Sequence, residues 1–528
     1  MSAKASRKRS TKADRRKRKQ PFQLNFEAGS FSPQRLGVGI RIPKTVGPIL
    51  PLIAATLRDP FGKTSPALTD EARDFAQQHG KLFELLTYGS VPVHELRHFH
   101  EFMATTYGSR IMFDHALLAS LNASVLKSLS EETAIAAPIT SWETMSAGRY
   151  KMISQQLSPA TLTRQPPPLT ARFIQLARPA IASIESLSTP YTLSVDEAAP
   201  QHTLSFMQLL ESGAMSCQIA RLHTTVGNDL TNWFCDNVKR RDTSLTYTHL
   251  WNRWFTLEKH LGLPGHDLTA PGISHTVRNA VSLFCLSARW REKPDTADAD
   301  YVRPPDSFML LWHSLTEAIP RDEDVVDWLD TQARKYNMLT LQETAEKTVA
   351  LTEQWAEDLS RLQPDPEIGI GPLLTPVFTQ WFTKWSAAQR HLCRWIIDNP
   401  LRFLDPWQYF DSLADLVGAP CIVVSDADLS PWFELQAGPV WPEGLNGRLV
   451  RYPHARIGPA APQGWRSTML EDLAPGIEFI SIDESYVPMA EIGLALALWR
   501  PAGSDPTARF LARETLEGLL PQARIALV

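Results

Sequence analysis

Between positions 87 and 108 the chain reads TYGSVPVHELRHFHEFMATTYG, which places His94, Glu95, His98 and His100 within seven residues, with Glu101 next. The whole chain of 528 residues holds 14 histidines, so this is a local concentration of ligand-type side chains. On a helix, His94 and His98 stand at i and i+4, one turn apart on one face. Two ring nitrogens at that spacing can meet a single metal ion at about 2.0–2.1 Å. Glu95 stands one step round the helix, beside the metal rather than on it, where it can take a proton from an attacking water. The plain alternative is a solvated helix face that happens to carry His and Glu.

The run His94-Glu95-Leu96-Arg97-His98 resembles the HExxH zinc metallopeptidases, or zincins. The resemblance implies Zn2+ as cofactor, His94 and His98 as ligands, Glu95 as catalytic base, and a peptide or protein substrate cleaved by a zinc-bound water. Three residues depart from the usual pattern. Arg97 and His100 bring charge or polarity where uncharged residues are usual, and Pro92 lies close to the first ligand. Arg97 points away from the His94/His98 face, so it does not obstruct a metal.

A catalytic zinc site needs three protein ligands and one open position. The HExxHxxGxxH extension fails, because Glu101 and Ala104 occupy the Gly and His places. A glutamate about twenty residues after His98 fails too, since that neighbourhood reads FDHALLASLN. His100, at i+6 from His94, faces well away from the pair. The stretch HTLSFMQLLESGAMSCQIARLH (202–223) is apolar nearly all round and carries Glu211 in its middle, on a stripe with Met207, Ala214 and Gln218. A buried carboxylate is costly without a compensating cation. Zinc would supply one; an arginine in an ordinary buried ion pair would be the plain alternative. By resemblance, a Glu on a separate downstream helix is the gluzincin arrangement. Asp114 and His115 are the next candidates, followed by Glu131, Glu132, His202 and His223.

The elements that must position these groups can be read from capping and period. Ser90 is placed to cap the HELRH helix, Pro92 falls in its first turn, and Gly108 is placed to end it. Gly213 and Ala214 would let the Glu211 helix approach closely. Further helical periodicity covers roughly 69–89, 111–129, 171–187, 226–238, 247–261, 274–290, 308–319, 323–363 and 377–398. The stretch PFQLNFEAGSFSPQRLGVGIRIP reads as one or two short strands. After residue 400 the short runs APCIVVSDADL, GRLVRYPHARI, GIEFISIDE and ARIALV are strand-like, and ETLEGLLPQ is helical. The expected fold is therefore mainly α: a basic tail at 1–22, a zincin-like helical metal domain at 23–291, a helical region at 308–400 beyond a linker, and a small α/β or α+β domain at 401–528.

Other motifs weigh less. Glu95 and His98 also fit the ExxH of di-iron carboxylate proteins, but no second ExxH accompanies them. TYTHLWNRWF (246–255) is an aromatic core stripe by default, although Tyr247 or His249 could polarise a substrate carbonyl. Cys217 reads as a buried apolar side chain. Asp426 and Asp428 read as an acidic turn.

Charge is unevenly placed. Residues 1–20 hold ten Lys or Arg against Asp14, a net of +9, while the whole chain sums to −4. Such a tail has nothing apolar to bury; it suits a nucleic-acid or acidic partner, a nuclear address, or simple solubilisation. Five dispersed cysteines without a CxxC argue against a disulfide framework. No signal peptide is visible, and the early apolar run 46–57 is too short and proline-broken to span a bilayer. A cytoplasmic protein is expected, or a nuclear one in a eukaryotic host. Two functions follow: a zinc-dependent hydrolase using Glu95, or a non-catalytic interaction or regulatory protein with a zincin-like domain and a nucleic-acid-binding tail.

Overall fold

The computed structural model describes residues 29–32, 37–42, 44–58, 68–114, 117–118, 134–137, 177–182, 191–193, 202–242, 247–264, 268–269, 271–292, 301–361, 375–412, 416, 421–426, 431–436, 513, 516 and 523–527. The basic tail, His115, Glu131, Glu132, Asp428 and the runs at 447–457 and 476–484 lie outside them. Over the described residues the protein is mainly helical, with a few short strands.

The HELRH motif lies on α3 (Leu82–Ala104), and the residues expected to bound this helix do not. The preceding helix α2 (Asp70–Gln78) is capped by Thr69, whose side chain accepts from Ala72 N, and stops at Gly80, which has φ +64°. From Leu82 the chain is helical straight through Ser90 and Pro92. Ser90 is an interior residue: its Oγ donates to Leu86 O at 2.7 Å and accepts from Gln218 Nε2 at 2.9 Å. Pro92 removes one helical donor, a defect of about 3 kcal/mol in an isolated helix. Burial offsets it, since every residue of α3 except Glu84 is buried. Gly108 does not end the helix. The chain bends at Thr105 and is helical again over 106–114, where Gly108 N donates to Thr105 Oγ1 and a Cβ on Gly108 would overlap Phe102 O.

The second helix of the site, α4 (Phe206–Val226), begins later than its period suggests. His202–Leu204 form a strand, β5, antiparallel to β4 (Tyr191–Leu193). Ser205 then opens α4 with a reciprocal capping box to Gln208. Gly227, at φ +83°, follows its last turn. The helices α3 and α4 form the most extensive helix pair among the described residues. The N-terminal half of α3 belongs to one hydrophobic cluster and its C-terminal half to another, so the helix runs along the seam between two cores.

Around this pair lie α1 (Leu50–Arg58), α5 (Asn228–Arg241), α6 (His249–His260), α7 (His275–Cys285), α8 (Pro304–Glu317), α9 (Val325–Lys335), α10 (Leu341–Arg361), α11 (Thr375–Asp398), α12 (Pro400–Leu404) and α13 (Pro406–Asp411). The single helix expected over 323–363 is two, because Asn337 takes a left-handed conformation (φ 55°) between α9 and α10. The two strands expected near the start are β1 (Gly29–Ser32) and β2 (Gly37–Ile42). They form one sheet with β6 (Cys421–Asp426) and β7 (Pro431–Gln436), in the order β1-β2-β6-β7. β2 and β6 are parallel, pairing Gly37 with Cys421 and Ile42 with Asp426. β3 (Ala134–Ala137) pairs in parallel with β8 (Arg524–Leu527). Strands from after residue 400 thus hydrogen-bond to strands from the first 140 residues. Among the described residues, no helix is long and apolar enough to cross a membrane.

One buried group makes the fold acid-sensitive. His275, at the start of α7, lies with Nδ1 3.0 Å from Ser216 Oγ and Nε2 2.6 Å from Leu268 O. Burial, with the charge of Arg278 added, pushes its pKa down to about 3. A depressed histidine pKa means that the unfolded chain takes up the proton first. Stability is therefore full above pH 6.5 and falls as pH drops toward 3, by about 1.4 kcal/mol per unit for this group. Urea unfolding with a chelator present, from pH 8 to pH 4, should show this slope and a shallower one in His275→Gln. Equal slopes in the two proteins would remove His275 as the cause.

Candidate metal centre

On α3, His94 and His98 project toward α4, as their i, i+4 spacing requires, with ring centroids 4.7 Å apart. Their Nε2 atoms are 3.1 Å apart. Glu211, from the second turn of α4, enters between them: Oε2 is 3.0 Å from His94 Nε2 and Oε1 is 3.5 Å from His98 Nε2. Residues 117 positions apart in sequence thus aim three ligand atoms at one point, all within 4.8 Å of one another. All three side chains are buried, yet none is sealed: His94, His98 and Glu211 retain 4%, 5% and 6% of their surface.

The electrostatics suit a cation. Burial opposes the charged form of each group, but Glu211, Glu95 and Glu101 together raise the pKa of His98 to about 9. Burial likewise opposes ionisation of Glu211, and His98 and His94 outweigh it, holding its pKa at about 2. The two Nε2 atoms and the Glu211 carboxylate turn acceptor sites toward one point, where a proton or a metal cation can bridge them. Among the described residues neither buried Nδ1 atom has a hydrogen-bond partner, and Nε2 is the atom that each ring turns to the trio. Two imidazoles and a carboxylate form a ligand set typical of zinc, and the residues present fit that ion.

Glu95 is buried beside the trio and outside it, as its place one step round the helix predicts. Its carboxylate is confined by backbone. Gly29, the first residue of β1, comes so close that a Cβ there would lie 2.7 Å from Glu95 Oε1 and from Val91 Cγ2. Only glycine lets β1 pass at this distance. Sequence reasoning missed Gly29; its one signal was a glycine opening a short strand. Tyr247 is half-buried, its ring centroid 6.1 Å from that of His94. Asp242 Oδ2 holds the turn that presents it, accepting from Tyr247 N at 2.9 Å and Thr248 N at 2.8 Å. His249 lies nearby on α6 with Nε2 accepting from Arg253 Nε at 3.2 Å. Trp251 and Trp254 are core residues.

The remaining candidates that lie among the described residues fall elsewhere. Asp114 is paired with Arg110 at 2.9 Å. His202 is in β5, and His223 stacks edge-on against Trp407 near the far end of α4. His100 faces away from the trio, toward Tyr409. Cys217 is buried, and burial first of all pushes its thiol up to about 12, as expected of an inert core cysteine. Asp426 is the last residue of β6. Arg97 does point away from the ligand face, into a fully buried ion pair with Glu101.

Comparison with protein-family models, with curated proteins and with solved structures finds no match for this chain.

Proposed function

We propose that this protein is a zinc-dependent hydrolase, a metallopeptidase of gluzincin-like arrangement, with His94, His98 and Glu211 as metal ligands and Glu95 as general base. The observation that carries the reading is the convergence of Glu211 with the two histidines of HELRH. A zinc ion held there would supply Lewis acidity, favouring deprotonation of water and stabilising an oxyanion. Glu95 takes the proton of the attacking water and can pass it to the leaving amine. Its confinement by Gly29 holds that carboxylate to one side of the site. The position of Tyr247, its ring centroid 6.1 Å from that of His94, supports a role in polarising the substrate carbonyl, with His249 as the alternative.

A peptide substrate is supported by β1. Among the described residues this strand has no partner on its outer edge, and it runs past Glu95. An extended peptide can pair with such an edge through its own backbone. The low exposure of the ligand trio favours a second reading, a structural metal in a non-catalytic interaction protein. A nucleic-acid or acidic partner for residues 1–20 belongs with that reading. Elemental analysis decides whether the metal exists. Protein purified without chelator should carry near-stoichiometric zinc, and the double variant His94→Ala/His98→Ala should fold and carry none. Wild-type protein devoid of any transition metal overturns the hydrolase and the structural metal, and leaves a non-catalytic interaction protein without one.

A further inference from the structure

Arg97 and His100, two of the three residues that depart from the HExxH pattern, are both engaged by one distant segment, Pro400–Asp411. Arg97 is wholly buried, and its Nη1 donates to Phe403 O at 2.7 Å. That carbonyl lies in the last turn of α12, a five-residue helix whose terminal carbonyls have no helical donors. The Arg97 guanidinium lies over the rings of Phe403 and Tyr409, 4.1 Å and 4.8 Å from their centroids. His100 Nδ1 is 2.8 Å from the Tyr409 hydroxyl. The neighbouring carbonyl, Leu404 O, accepts from Asn279 Nδ2 on α7 at 2.9 Å, so the segment is itself anchored to the core.

On its other side, Arg97 Nε donates to Glu101 Oε1 at 2.8 Å. Glu101 Oε1 occupies the space where a Cβ on Gly213 would stand. Gly213 is two residues from Glu211 on α4. A chain of contacts therefore runs from α12 and α13 through Arg97 and Glu101 to the backbone of the helix that carries Glu211. We propose that Pro400–Asp411 is a positioning clamp for the metal centre: through Arg97 and His100 it sets the rotation of α3 about its axis against α4. A helix turns as a unit, so fixing the azimuth of residues 97, 100 and 101 fixes that of residues 94 and 98. Metal ligands tolerate only about 10–20° of misorientation. Arg97 is suited to this task because its planar fork serves Glu101 and Phe403 O at once while its face covers two rings.

This inference rests on reading His94, His98 and Glu211 as metal ligands. The test uses the full-length protein and two variants, Arg97→Lys and Tyr409→Phe. Lysine keeps a charge beside Glu101 but has one nitrogen where the planar guanidinium uses two, Nε for Glu101 and Nη1 for Phe403 O; phenylalanine keeps the ring and loses the contact to His100. Zinc affinity is measured by chelator competition, the visible d–d spectrum after cobalt(II) loading, and the melting temperature without metal. A clamp predicts that Arg97→Lys weakens zinc binding by about 10–100-fold and alters the cobalt spectrum. Tyr409→Phe should move affinity and spectrum the same way by less. If both variants melt lower but keep wild-type zinc affinity and cobalt spectrum, the segment is merely structural and the clamp is wrong. Should Arg97→Lys fail to fold, Tyr409→Phe alone decides by the same two readouts. Wild-type protein that binds neither ion defeats the metal reading and the clamp with it, whereas binding that the variants leave unchanged defeats the clamp alone.

Discussion

Replacing Glu95 with glutamine should lower turnover of a cleavable peptide by about 10²–10⁴-fold while zinc content stays at the wild-type level. Glutamine has the shape of glutamate but cannot accept a proton from water at neutral pH. The shape matters here because Gly29 passes so close to Glu95 that a larger side chain would displace β1. Folding should not suffer, since a neutral amide costs less to bury than a carboxylate. Zinc content should not change, because Glu95 is not among the three groups whose ligand atoms converge. The assay is cleavage of a fluorogenic peptide mixture by zinc-loaded protein, with metal analysis on the same sample. Equal turnover in wild type and variant would mean that Glu95 is not the base. If zinc-loaded wild type cleaves nothing in the mixture, the structural-metal reading gains instead.

The site was legible to the extent that its chemistry is local. The i, i+4 histidines and the adjacent glutamate are a helix-surface pattern, and the pattern survives folding because a helix preserves its own spacing. Glu211 was legible for another reason: a carboxylate on a helix otherwise apolar all round must be compensated, and the compensating groups are His94 and His98 rather than an arginine. Bounding α3 by Ser90, Pro92 and Gly108 failed because those residue types signal helix ends only where solvent is the alternative partner. In α3, Ser90 finds Gln218 and Leu86 O instead, and burial of nearly the whole helix offsets the donor lost at Pro92.

Long-range partners left no local trace. Nothing near Gly37–Ile42 announces that its parallel neighbour lies at Cys421–Asp426, and nothing near Arg97 announces Phe403. Glu101, four residues on, was a visible partner for Arg97, but Phe403 O and Tyr409, which engage Arg97 and His100 from more than three hundred residues away, were not. Residues that break a local rule for no local reason are where a distant segment is to be sought.

Glu211 gives the second large expected effect, on metal affinity. Structural zinc sites with four protein ligands bind with about 10–16 kcal/mol, so one ligand accounts for roughly 2.5–4 kcal/mol, or 10²–10³ in affinity. Glu211→Gln should weaken zinc by about that factor. The amide keeps the volume and can still hydrogen-bond His94, so the metal-free variant should fold. Glu211→Leu tests the other half of the argument. It removes a buried carboxylate that lies 3.0 Å from His94 Nε2 and 3.5 Å from His98 Nε2. Without that carboxylate, His98 loses the strongest of the charges that favour its protonation, and a neutral imidazole is cheaper to bury than an imidazolium. With chelator present, the leucine variant should therefore melt no lower than wild type, as when buried ion pairs elsewhere give way to apolar groups of similar volume. With zinc present the order should reverse, because the ion stabilises only the protein that binds it. A leucine variant that melts lower than wild type by the same margin with and without zinc would show Glu211 to be a packing residue, and the metal site would then need another third ligand.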